Sequence, residues 1–157
     1  MEFDAEVYQL SAEFLNDYPA EQYPELMCKS GRPYNCLLVD LHLDYFICIP
    51  YRSSIHHPNA FMFHGTQRSK IKKSGLDYSK IVLIREQRYF STAKAVVDQD
   101  EYRETRKNLA KIAGEAVDYV NTYIDHVNGK CPLHPKAYDR KYRFSTLPYF
   151  HDIMGLD

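Results

Sequence analysis

The chain has 157 residues and a formal charge of −1, and its composition is 45% hydrophobic and 26% charged. That length suits a single domain, 1–157, burying about two-thirds of its unfolded surface, and the near-neutral balance argues against a basic protein that coats nucleic acid. No apolar run approaches the ~20 residues of a membrane helix, and "MEFDAEVYQL" lacks the basic and apolar regions of a secretory signal, so the expected compartment is the cytoplasm.

"VYQL" (7–10) reads as a first strand, and Ser11 then caps a short helix, "SAEFLNDY", that Pro19 ends. "YNCLLVDL" (34–41) is a continuous apolar strand that "HLD" turns into "YFICI" (45–49), giving a hairpin that Pro50 closes. "AFMF" (60–63), "KIVLI" (80–84) and "KAVV" (94–97) are further strand candidates. From Asp98 the period becomes helical: Tyr102, Leu109, Ile112, Ala116, Val120, Tyr123, Ile124 and Val127 form one stripe. This predicts a helix over 98–128, weakened or kinked at Gly114 and stopped by Asn128-Gly129. "STLPYFHDIM" (145–154) resembles a short closing helix. Strands first and a long helix late predict an α+β fold, a twisted, mainly antiparallel sheet with helices packed against it. Cys28, Cys36, Cys48 and Cys131 show no CxxC spacing and read as reduced, structural thiols.

The chemistry-bearing stretch is "FICIPYRSSIHHPNAFMF" (46–63). Arg52 offers a rigid fork of donors suited to a phosphate; Ser53 and Ser54 are short donors; His56 and His57 are of a type that exchanges protons near neutrality. RNA cleavage without a metal needs a base for the 2′-hydroxyl, donors for the charged phosphorane and an acid for the leaving oxygen. A polar connection capped by serines has the same composition. A metal site drawn from His56, His57, His64, Cys131 and His134 is disfavoured. Adjacent histidines on an extended chain point to opposite faces, and neither HExxH nor paired CxxC is present. Neither a metal nor a cofactor is expected.

Two stretches are locally basic: Arg68, Lys70, Lys72 and Lys73 within 66–75, and Lys136, Arg140, Lys141 and Arg143 within 136–143. The turns "KSGRPY" (29–34), with Lys29 and Arg32, and "KSGLDYSK" (73–80), with Lys73 and Lys80, enter strands. Together with the Arg52 turn they are expected to converge at one end of the sheet. Tyr34, Tyr51 and Tyr78 lie beside cations, as in proteins that stack single-stranded bases.

In order, "YQLSAEF", "RPYNCLLVD", "YFICIPYRSSIHH", "SGLDYSKIVLI" and "EYRETRKNL…VNTYIDHVNG" resemble the toxins of type III toxin–antitoxin systems, the ToxN/AbiQ, CptN and TenpN group, and are more similar to the CptN and TenpN branches. The likeness runs from about residue 7 to 150. It implies a MazF/Kid-like toxin barrel with peripheral helices and a metal-independent endoribonuclease. Such an enzyme attacks through the 2′-hydroxyl and leaves cyclic phosphate and 5′-hydroxyl ends. It also implies a partner, a cognate repeat RNA antitoxin that the toxin processes and that holds it in a closed protein–RNA hetero-oligomer, with a role in phage defence. Ser53 falls on the serine of the family's strand–Pro–x–x–Ser turn, which assigns it to the scissile phosphate; Arg52 is assigned to the phosphorane. Ile55 stands where the ToxN branch has lysine, which leaves the second cation to His56, His57, Lys29, Arg32 or Lys80. RNA contacts are expected from Lys29, Arg32, Tyr34, Tyr51 and Lys80, and from Arg68, Lys70, Lys72, Lys73, Arg140, Lys141 and Arg143. The rival readings are a non-catalytic RNA-binding module, a metal-dependent phosphoesterase and a protein-interaction domain built on the long helix.

Overall fold

The computed structural model describes residues 1–29 and 31–156; Ser30, inside the turn 29–34, and Asp157 lie outside the described residues. The chain runs β1 (Asp4–Gln9), α1 (Ala12–Asp17), β2 (Asn35–Asp40), β3 (Phe46–Arg52), β4 (Ala60–Met62), α2 (Gln67–Ile71) and β5 (Gly75–Asp77). It continues through β6 (Val82–Ile84), α3 (Gln99–Lys107), α4 (Leu109–Val127), α5 (Pro135–Tyr142) and α6 (His151–Met154). The fold is α+β, with one six-stranded antiparallel sheet in the order β1-β2-β3-β5-β4 and β6 also on β3.

The two apolar runs form the expected hairpin, with Leu37 opposite Ile49 and Cys36 opposite Pro50. Their four middle residues are buried on both faces, which is why they read as continuous apolar runs and not as alternating ones. Pro50 does not end β3, contrary to the sequence reading; the strand continues through it to Arg52. The other edge of β3 explains this. Phe46–Cys48 pair with β6, while Tyr51 and Arg52 pair with β5, and neither strand pairs with residues 49–50. A residue without an N–H is tolerated where the ladder changes partner.

Three other expectations are corrected. The segment 80–84 is split: Tyr78–Lys80 form a 3₁₀ turn and only Val82–Ile84 are strand. Residues 94–97 are irregular; Val96 is exposed, and its carbonyl is tethered by the Asn35 amide at 2.9 Å. The long helix breaks at Asn108 and not at Gly114, which lies inside α4. Asn108 leaves helical dihedrals at φ −120° and ψ 21°, and its amide donates to the Glu104 carbonyl, an interaction that competes with the helix. The closing segment is a 3₁₀ turn over 147–150 followed by α6.

Side-chain hydrogen bonds dock the helices on the sheet: Tyr51 to Thr105 of α3 at 2.9 Å, and Tyr78 to Glu115 of α4 at 2.8 Å. A second aromatic group, Phe14, Tyr18, Tyr89 and Phe150, joins α1 to the C-terminal turn. The four cysteines are free. Among the described residues no helix is long and apolar enough to cross a membrane.

Gly75 sits between β3 and β4, opposite both Arg52 and Met62. A Cβ there would strike the carbonyl oxygen of Phe61, a backbone atom that cannot rotate away. Gly75→Ala is therefore expected to destabilise the fold by about 1–3 kcal/mol, read as a lower denaturant midpoint; an unchanged midpoint would show that β4 is not held this close.

Candidate phosphate-binding cleft

The register of the central hairpin brings the start of β2 beside the end of β3. The loop that leads into β2 and the turn that leaves β3 consequently share one end of the sheet. Between them is a cleft of about 360 Å³ whose wall includes Lys29, Arg32, Arg52, Ser53, Arg68 and Asp98. Tyr34, Asn35, Pro50, Tyr51, Val96 and Val97 form more of that wall. The cleft thus gathers seven of the residues singled out from sequence: Lys29, Arg32, Tyr34, Tyr51, Arg52, Ser53 and Arg68. Among the described residues its wall carries four cationic side chains and one carboxylate, but Arg52 and Arg68 are also paired with carboxylates behind the wall, Asp77 and Glu101, so the local positive excess rests on Lys29 and Arg32.

Arg52 is the last residue of β3, with its side chain 21% exposed. Its Nε lies 3.5 Å from Asp77 Oδ2, and its Nη2 donates to the Met27 sulfur at 3.3 Å. Ser53 is half-buried on the cleft wall. Ser54, which follows, adopts a left-handed conformation at φ 58°, uncommon for a side chain of its kind. Ile55 is buried and belongs to the core.

Asp77, at the end of β5, is buried beneath this turn. It accepts from the Ser79 N–H at 3.0 Å and from the Ser79 hydroxyl at 2.6 Å, and His57 Nε2 lies 3.2 Å from its Oδ1. Burial pushes its pKa up, but the hydrogen bonds from His57 and Ser79, with the charge of Arg52 beside them, hold it below the ordinary carboxylate value. His57 Nδ1 accepts the Asn59 N–H at 3.1 Å, which assigns the ring proton to Nε2. Both ring nitrogens are occupied, so His57 braces the turn and has no free lone pair to take a substrate proton. The trio His57, Asp77 and Ser79 is not a nucleophilic triad either. Carboxylate and serine share one ring nitrogen, whereas a triad places them on opposite nitrogens, and Ser79 is buried.

Arg68 is held by a second buried carboxylate, Glu101, at 2.5 Å, and lies 3.8 Å from Asp98. Glu101 also accepts from the Ser74 hydroxyl at 2.7 Å. Burial raises the Tyr34 and Tyr51 hydroxyls above their ordinary range and pushes the Cys28 thiol up to about 11, so these groups keep their protons at neutral pH.

Other sequence candidates stand elsewhere. Lys80 is buried, giving its ammonium to Glu25 and to the Phe144 carbonyl at 2.7 Å each; it is an internal strut and not an exposed cation. The third basic turn thus meets the Arg52 turn, with Gly75 opposite Arg52, but brings neither Lys73 nor Lys80 to the cleft wall. His56, Lys70, Lys72 and Lys73 are exposed outside the cleft wall. Arg140 and Arg143 are exposed at the end of α5, and Lys141 lies half-buried over the rings of Tyr119 and Tyr142. Among the described residues, His56, His57, His64, Cys131 and His134 do not assemble into a metal-ligand group.

Asp77, Asp98 and Glu101 were not singled out from sequence; "GLDYSK" reads as a turn, and nothing local ties its aspartate to Arg52. Comparison with protein-family models, curated proteins and solved structures finds no match to the chain.

The lowered pKa of Asp77 sets the sign of a pH effect. Its ionised form stabilises the fold at and above the ordinary value of 3.8, and this contribution is lost as pH falls through the depressed folded value. Urea unfolding from pH 6 down to pH about 2 is expected to show a shallower loss of stability in Asp77→Asn than in wild type. Parallel curves would contradict it.

Proposed function

We propose that the protein is a metal-independent endoribonuclease, the toxin of a type III toxin–antitoxin system. The observation that carries this reading is the convergence of Lys29, Arg32, Arg52, Ser53 and Arg68 on one cleft bordered by Tyr34 and Tyr51. Guanidinium forks and a short hydroxyl are suited to a phosphate whose charge grows in the transition state. The ordered resemblance over about residues 7–150 supports the particular family, and the antiparallel sheet is compatible with its MazF/Kid-like barrel.

In this reading a single-stranded RNA lies in the cleft with its scissile phosphate at Arg52 and Ser53. The 2′-oxygen attacks phosphorus while the bond to the 5′-oxygen breaks, giving a cyclic phosphate and a 5′-hydroxyl. Asp98, the one carboxylate among the described residues of the cleft wall, receives the 2′-hydroxyl proton; water at the open mouth returns one to the leaving oxygen. A folded repeat RNA is the inhibitor. Its backbone is gripped by the basic patches at 66–73 and 136–143, contacts that position an RNA and weaken with salt. The work is cytoplasmic and serves defence against phage.

A non-catalytic RNA-binding module is favoured by one observation, the engagement of both His57 nitrogens. Cleavage of labelled single-stranded RNA in excess EDTA separates the two. The expected result is cleavage with cyclic phosphate ends, reduced about 10²–10³-fold in Arg52→Ala and in Ser53→Ala and also lowered in Asp98→Asn. Tight binding without cleavage by the wild type would establish the binding module. Activity abolished by chelator and restored by a divalent ion would establish a metal-dependent enzyme.

A further inference from the structure

We infer that Asp77 is the positioning residue that aims Arg52 into the cleft, with Ser79 and His57 holding the carboxylate in place. The inference rests on the phosphate-binding role proposed for Arg52. A free arginine at the end of a strand samples many rotamers, and ordering it on a ligand carries an entropic cost. Here the guanidinium Nε lies 3.5 Å from a carboxylate oxygen of a side chain that is 4% exposed, an ion pair. One N–H of Nη2 goes to the Met27 sulfur at 3.3 Å. The second N–H of Nη2 and both of Nη1 remain for a phosphate.

The carboxylate cannot itself swing. Ser79 gives it two donors, its own N–H and its hydroxyl, from the 3₁₀ turn after β5. His57 approaches at 3.2 Å, with its far nitrogen pinned by Asn59. The turn that leaves β3 is tied to the same region by the Ile55 N–H to the Lys73 carbonyl at 2.9 Å, and residue 59 by its carbonyl to the Tyr78 N–H at 3.0 Å. Asp77 therefore locks the end of β3 to the end of β5 and fixes Arg52 before any ligand arrives.

Charge and positioning predict opposite results. Removing a negative charge next to Arg52 strengthens anion binding if charge alone matters. If Asp77 acts by aiming Arg52, its removal weakens binding despite the more positive site. The probe is an all-2′-deoxy oligonucleotide, which cannot be cut by 2′-hydroxyl attack. The expected outcome is about tenfold weaker binding in Asp77→Asn, the scale of the coupling between residues of one salt-bridge network. Ser79→Ala, which removes one donor with little change of volume, is expected to move in the same direction by less. Neither is expected to weaken binding further once Arg52 is Gln, the non-additivity of residues acting as a unit. A second readout needs no nucleic acid: the Arg52 Nε–H resonance is expected to shift in Asp77→Asn, on loss of the neighbouring carboxylate charge, while the amide spectrum stays folded.

Equal or tighter binding in Asp77→Asn, losses that multiply with Arg52→Gln, or an unchanged Nε–H resonance would overturn the inference. Failure of the wild type to bind the oligonucleotide would overturn it together with the phosphate role. If the wild type binds but never cleaves RNA, only the nuclease reading falls, and the coupling of Asp77 to Arg52 is still decided.

Discussion

The partner change of β3 at Ile49 and Pro50 is the constraint from which the cleft follows. A strand that kept β6 as its neighbour to the end would bury its last residues in a continuous ladder. β3 instead hands its last two residues to β5, so Tyr51 and Arg52 sit against a different strand from Phe46–Cys48. The same pairing places Gly75 opposite Arg52, where any side chain would collide with the backbone of β4, and carries Asp77 beneath the turn that follows Arg52. On its other edge β3 pairs with β2 from Ile47 to Pro50, across the change of partner, which sets the loop bearing Lys29 and Arg32 beside the same end.

Two buried carboxylates then do similar work on opposite arginines of the wall. Asp77 holds Arg52, and Glu101, with no exposed side-chain surface, holds Arg68. Only the carboxylates are buried, while the arginines keep part of their surface in solvent, so removing an arginine leaves a buried charge with less compensation. Both carboxylates are also hydrogen-bonded by serines, Ser79 and Ser74, so they remain satisfied in the absence of any ligand. Arginines fixed this way lose less freedom when they meet a phosphate, since much of the ordering is already done by the fold.

Much of this architecture is written locally in the chain. The apolar runs of β2 and β3 and the helical stripe from Tyr102 to Val127 announce themselves, as do Arg52 and Ser53 after Pro50. What local patterning missed depends on partners far along the chain. Pro50 looks like a stop because its missing N–H is visible in sequence, whereas the change from β6 to β5 is not. Gly114 looks like the weak point of the long helix, but burial of Ala113 and Ala116 beside it outweighs a propensity cost of about 1 kcal/mol; Asn108 breaks the helix with its own amide. Val96 and Val97 have strand-like composition and line clefts instead. Lys80 has the look of a surface cation but is neutralised inside by Glu25, which lies 55 residues earlier. His57 was visible as a residue, while the hydrogen bonds at both its ring nitrogens, which decide whether it can move a proton, were not.

The central claim is that the end of β3 presents Arg52 and Ser53 to an RNA phosphate. A crystal structure of the protein with a short all-2′-deoxy oligonucleotide tests it most directly. The account predicts a backbone phosphate within about 3 Å of both the Arg52 guanidinium and the Ser53 hydroxyl, with bases against the aromatic wall of the cleft. An oligonucleotide bound along α5 with the cleft empty would contradict it, and the basic helix face would then be the nucleic-acid surface.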